Sequence, residues 1–136
     1  MIYTASFFER KYWGAGEGRL VSIAMDMPDG YTWNYHGFHI TENELLKPEW
    51  WLVNGFKSGN ILPKGYKREY FTILKGRFGE NWGALYRGFL GPGKALEVME
   101  LEDGDRLLCW EGYGTFCHRI LVAELLRKNG IEVRRR

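Results

Sequence analysis

RLLCWEGYGTFCHRILVAELLRKNGIEV, residues 106–133, carries three different patterns in one short run. RLLCWE (106–111) reads as a strand. Gly112, Tyr113, Gly114 and Thr115 read as a tight loop. Residues 116–129 read as a helix, apolar on most sides at Ile120, Leu121, Val122, Ala123, Leu125 and Leu126, and a helix apolar all round is a buried one. Gly130 suits the left-handed position just past a helix, and 131–133 (IEV) reads as a closing strand. Strand, helix and strand make a βαβ unit with parallel strands and a right-handed crossover. An α/β fold with a mostly parallel central sheet follows.

Working outward, residues 2–7 (IYTASF) alternate and read as a strand. Residues 8–18 form a loop ending in GAGEG. RLVSIA (19–24) is nearly continuous in apolar content, as a parallel strand covered on both faces should be. A turn follows at Pro28-Asp29-Gly30, and 31–40 (YTWNYHGFHI) reads as a long aromatic loop. Thr41 to Glu44 has the capping-box spacing, which predicts a short helix beyond it. Pro48 suits the first turn of a further helical piece with Trp50 and Trp51. In 66–78, Tyr66, Tyr70, Ile73, Leu74 and Phe78 recur at helical spacing. Shorter helices are expected at 81–89, stopped by Gly91-Pro92-Gly93, and at 95–101. The 136 residues fit a single domain, 1–136.

Apolar residues are 45% of the chain, enough for one core without disulfide staples. The net charge of +2 argues against a strongly electrostatic DNA binder. Arg134, Arg135 and Arg136 read either as a solvated tail or as a phosphate contact. There is no apolar run of membrane-spanning length, no signal-peptide pattern opens the chain, and two cysteines do not make a secreted disulfide scaffold. A cytoplasmic location and no membrane partner are therefore expected.

The chemistry concentrates at the strand-to-helix turn. Ligands of open α/β sheets sit beyond the carboxyl ends of the strands, and a helix start offers unpaired amides and partial positive charge to an anion. Glu111, at the end of the strand, is the candidate acid or base. Thr115 is the expected N-cap. Cys117, His118 and Arg119 fall in the first turn. A thiol there, beside His118 and Arg119, should ionise easily and could act as a nucleophile, or it could be a small plug between helix and sheet. His118 could be catalytic, or packed against a carbonyl. Arg119 opposes the helix dipole, so something negative should offset that, and a bidentate phosphate or carboxylate would suit. Ser6, at the end of the first strand, and Thr4, one pleat back, should face the same crevice. Trp33, Tyr35 and Trp110 are candidates for stacking on a base. Cys109, Cys117 and His118 do not have a familiar zinc spacing, and Cys109 and His118 could point to different sides. No metal site and no cofactor are therefore expected.

Leu107-Leu108-Cys109-Trp110-Glu111 followed by Cys117-His118-Arg119 resembles the motif pair of the domain-of-unknown-function 488 family. VAELLRKNGIEV (122–133), the opening Ile2-Tyr3-Thr4 with Ser6, and residues 19–28 extend the likeness, which covers the two ends of the chain, about half of it. Residues 31–99 do not match by motif. Members often carry an arginine near the proline that is Pro28 here, where this chain has Met25-Asp26-Met27. The resemblance implies a Rossmann-like domain, a mostly parallel central sheet with flanking helices, and links to nucleic-acid modification.

Three functions are compatible with these residues. The first is an enzyme acting on a nucleotide or nucleic-acid base, with phosphate at the helix start near Phe116, Arg119 beside it and Glu111 as acid or base. The second is a non-catalytic nucleic-acid or nucleotide binding module using the aromatic loop and basic residues such as Arg68, Arg77 and Arg87. The third is an aromatic-rich protein-interaction protein.

Overall fold

The computed structural model describes residues 1–14, 18–110 and 116–135. Its strands are β1 (Ile2–Ser6), β2 (Leu20–Ser22), β3 (Asn34–Tyr35), β4 (Phe38–Glu42), β5 (Arg106–Cys109) and β6 (Val133–Arg135). They form one sheet in the order β3-β4-β2-β5-β1-β6. Every neighbouring pair is parallel except the β3–β4 hairpin. The α-helices are α1 (Trp50–Lys57), α2 (Pro63–Phe78), α3 (Trp82–Arg87), α4 (Pro92–Val98) and α5 (His118–Lys128). The expected α/β architecture with a mostly parallel sheet and flanking helices is present.

The two sheet faces are covered differently. Alternate strand residues point to opposite faces. Ile2, Val21, Ile23 and Leu107 pack with Leu52, Tyr70, Leu74, Leu85, Ala95 and Leu125 from all five helices. Ala5, Leu20, Ile40 and Leu108 pack instead with Phe7, Trp13 and Ala24, edged by Met27, Tyr31, Tyr35 and Phe38. That second face carries no α-helix among the described residues.

Connection direction explains the asymmetry. The chain from β1 to β2, and from β2 to β4, steps toward the β3 edge, and both connections bring residues to the aromatic face. From β4 to β5 and from β5 to β6 it steps back toward the β6 edge, through α1–α4 and then α5. Opposite directions over opposite faces are what a single crossover hand requires. The leftward crossovers use aromatic loops where longer chains would use helices.

Four expectations change. Residues 31–40 are not a loop: β3 and β4 pair through His36 (φ 49°) and Gly37 (φ 81°), and two left-handed residues are what a tight type I′ hairpin demands. The capping-box pattern at Thr41 does not start a helix, because Thr41 lies in β4 opposite Val21 of β2. The Asn43 side chain governs the following turn, accepting from Leu46 N–H at 3.1 Å and donating to the Met99 carbonyl at 2.9 Å. Pro92 opens α4 at a position where its missing N–H costs nothing. β6 starts at Val133, later than 131, because α5 ends in a Schellman motif: Ile131 N–H donates to Leu126 and Gly130 N–H to Arg127. Arg134 and Arg135 thus belong to an exposed edge strand, and Arg134 pairs with Glu132 at 2.8 Å.

Candidate functional site at the strand switch point

β2 and β5 are neighbours whose onward connections leave in opposite directions. Between two such strands the covering segments diverge, and a crevice opens beyond their carboxyl ends. A hollow of about 130 Å³ lies there. One wall is Ala24, Met25 and Asp26, which follow β2. The opposite wall is Cys109 and Trp110 at the end of β5, with Phe116, Cys117 and His118 leading into α5. Val53, Phe56 and Lys57 of α1 and Tyr66 of α2 close the remaining side. A cavity of about 150 Å³ lined by apolar side chains holds benzene, so this one suits a single ring and not a whole nucleotide.

Cys117 is the N-cap of α5, with extended backbone (φ −153°, ψ 151°), and His118 and Arg119 begin the helix. The expected cap, Thr115, and the expected acid–base group, Glu111, lie outside the described residues. Cys109 and Cys117 are joined in a disulfide. In this state Cys117 carries no thiolate, so the expected nucleophile requires reduction first. Spacing alone gave no sign of the pairing: it depends on β5 turning Cys109 toward the helix face, where the start of α5 returns.

His118 is buried between these sulfurs and the end of β2. Its Nε2 lies 2.5 Å from the carbonyl oxygen of Ile23. A carbonyl only accepts, so Nε2 carries the proton and Nδ1 keeps a lone pair. Nδ1 faces Cys117 Sγ at 3.5 Å and Cys109 Sγ at 3.9 Å. The two cysteines and the histidine therefore point to one spot, not to different sides. Burial is the main reason that His118 has its pKa lowered to about 4; the charge of Arg119 pushes the same way, and the bond to Ile23 opposes both. The imidazole is neutral at pH 7. The Tyr70 ring packs edge-on at 5.6 Å, and burial holds its phenol protonated.

The other expected site residues separate. Ser6 stands next to Cys109 in register, yet its hydroxyl donates to the Trp110 carbonyl at 3.0 Å and accepts from Phe8 N–H at 3.2 Å. It anchors the end of β5 and does not line the hollow. Thr4 is buried deeper in the sheet, opposite Leu107. Arg119 is buried in the first turn and is not among the described residues of the lining. Trp110 borders the hollow, its Nε1 donating to the Asp26 carbonyl at 2.8 Å. Trp33 borders a neighbouring groove that shares Ala24, Met25 and Asp26 with the hollow. Tyr35 lies on the other sheet face, stacked on Tyr31 with centroids 4.3 Å apart.

Lys57 was not singled out by the sequence. Its Nζ sits 5.2 Å from the Trp110 ring centroid, a cation–π distance, and it borders the hollow. Phe56, Tyr66 and Phe116 form an aromatic wall with centroids 5.0–5.5 Å apart. The sequence marks Tyr66 only as part of a helical stripe and Phe116 only as the helix start, and it does not mark Phe56. No helix among the described residues is long and apolar enough to cross a membrane. No family model matches the chain, and neither a curated protein nor a solved structure matches it.

Proposed function

We propose that this protein is an enzyme acting on a nucleotide or nucleic-acid base, with the base ring in the hollow and the sugar and phosphate outside it. The observation that carries this reading is the ring-sized cavity at the β2–β5 switch point, edged by Trp110, Phe116 and Tyr66 and floored by His118 and two sulfurs. Aromatic faces stack on any base. Trp110 is pre-set by its bond to Asp26, so little ordering is needed on binding.

Lys57, at the edge of the hollow, is placed for the phosphate better than the buried Arg119. The start of α5, on the wall formed by Phe116, Cys117 and His118, adds its amides and dipole. Glu111, next in sequence to Trp110, is the proposed acid or base, and a positioned carboxyl in that role contributes about 10²–10⁴-fold. On this reading the domain is Rossmann-like and related to the domain-of-unknown-function 488 family, a relation resting on the motif pair within 107–119 and the further likeness at 2–6, 19–28 and 122–133. Modification of a base or of its glycosidic bond is the class of reaction.

The test is incubation with purine and pyrimidine nucleosides, nucleotides and short oligonucleotides, read by mass spectrometry alongside calorimetric binding. Wild-type protein should bind at least one and convert it. Glu111→Gln should keep the binding and lose at least about 100-fold in turnover. Full turnover in Glu111→Gln removes that residue from the chemistry. Binding without product makes the protein a binding module, and no binding at all sinks the reading.

A further inference from the structure

We propose that Cys109 and Cys117, once reduced, form with His118 a zinc site whose fourth position opens into the hollow. The thiolates and Nδ1 are the soft and borderline ligands that zinc prefers. The three ligand atoms lie within 4.8 Å of one another, and all three residues are buried.

Distances decide between a chance cluster and a ligand set. With Zn–S near 2.3 Å and Zn–N near 2.05 Å, a tetrahedral ion places sulfur and nitrogen about 3.5–3.6 Å apart and the two sulfurs about 3.8 Å apart. The Sγ–Nδ1 distances are already 3.5 and 3.9 Å. The Cα atoms of the two cysteines are 7.6 Å apart, wider than the roughly 4.4–6.8 Å usual for bridged pairs. That spacing lets the sulfurs part to zinc-binding range with little backbone movement.

The outer contact also fits. Zinc-bound histidines nearly always donate their other ring N–H to a carboxylate or carbonyl, which fixes the tautomer and aims the ligand nitrogen. His118 does this with Ile23. Three protein ligands among the described residues, with a fourth position facing a cavity, match the catalytic pattern, whereas structural zinc is closed by four. The site stands independently of which ring compound, if any, occupies the hollow.

Zinc and disulfide exclude each other. A water-soluble phosphine converts the bridge to two thiols, taking oxygen from water to become the phosphine oxide. The metal then displaces the two thiol protons, which leave to solvent, and no electron moves in this second step.

The experiment uses cobalt(II) as a spectroscopic stand-in, added to the full chain before the phosphine. The oxidised protein should show no thiolate–cobalt charge-transfer band. Reduction should raise that band together with the strong visible bands of tetrahedral cobalt, at one ion per chain, and zinc should bleach them. Two protons should be released per zinc bound. Cys109→Ser and Cys117→Ser should each weaken zinc by more than about 100-fold, beyond what loss of a supporting hydrogen bond does. His118→Gln should keep part of the sulfur band and shift the visible bands. Reduced wild-type protein without the charge-transfer band, or serine variants that bind as tightly as wild type, would overturn the site. Nucleotides are absent throughout, so failure here leaves the base-binding reading untouched.

Discussion

The two faces of this sheet reach the same end by different means. On the helix face, burial is spread over many aliphatic side chains from five helices, including Leu52, Leu74, Leu85 and Leu125, all fully buried. On the other face a few large rings do the covering. Trp13 is 1% exposed, packs against Phe7, Tyr31, Tyr35 and Phe38, and donates its Nε1–H to the Ser6 carbonyl at 3.0 Å. A short connection cannot afford a helix, so it covers the sheet with the side chains that bury most area per residue. The lesson is that the high aromatic content belongs largely to architecture. Among the described residues, Trp50, Trp51 and Phe89 stand exposed on the outer surface, while the rings at the switch point, between the two coverings, line a hollow.

The largest effect should come from Trp13→Ala, at about 3–5 kcal/mol of unfolding free energy, because a single ring carries so much of its face. Chemical denaturation checks it, and a loss below about 1 kcal/mol would mean that the aromatic face is not a second core. Leu125→Ala on the helix face should cost about 2–5 kcal/mol, toward the low end if neighbouring aliphatics close in. A markedly larger loss there than at Trp13 would reverse the comparison.

A third test lies where the faces meet. His118 titrates near 4 when folded and near 6.5 when unfolded. Between those values the unfolded chain binds more protons, so stability rises with pH across that window and is lost as pH falls through it. Up to about 3 kcal/mol is at stake. In oxidised protein with chelator present, the wild-type curve should be steeper by that amount than the curve of His118→Gln. Parallel curves would show that His118 is not a buried neutral imidazole. The smallest effect belongs to Lys57→Ala. Exposed cation–π contacts contribute about 0.5–1 kcal/mol, so stability should barely change, while nucleotide affinity should fall and lose part of its salt dependence. Calorimetry at two salt concentrations reads this.

Much of the helix face was legible in the sequence. The pattern at Leu121, Val122, Leu125 and Leu126 could be little but a buried helix, and Leu107 belongs to a strand that is buried throughout, whereas Ile120, expected in the same buried stripe, is 49% exposed because it lies on the outer side of α5. The aromatic face was not. In 31–40 the rings mask the short alternation at Phe38 and Ile40, and His36-Gly37 is a less familiar type I′ turn than Asn-Gly. Thr41 carries a strong local helix signal that pairing with β2 overrides, since tertiary context outweighs a local preference. At the site, the residues of 109–119 could be named as chemically loaded, yet their convergence could not. Cys109 meets His118 only because strand parity and the return of α5 bring them together. Lys57, Phe56 and Tyr66 come from helices whose docking no local pattern specifies.

The space between the diverging β2 and β5 connections is the proposed ligand site. Backbone chemical-shift mapping of the whole chain during titration with a nucleotide tests it most directly. Shifts should concentrate at Ala24, Met25 and Asp26, at Cys109 and Trp110, and from Phe116 to His118, with Tyr35 and Phe38 unmoved. Shifts confined to the aromatic face or to the β6 edge at Arg134 and Arg135 would contradict it.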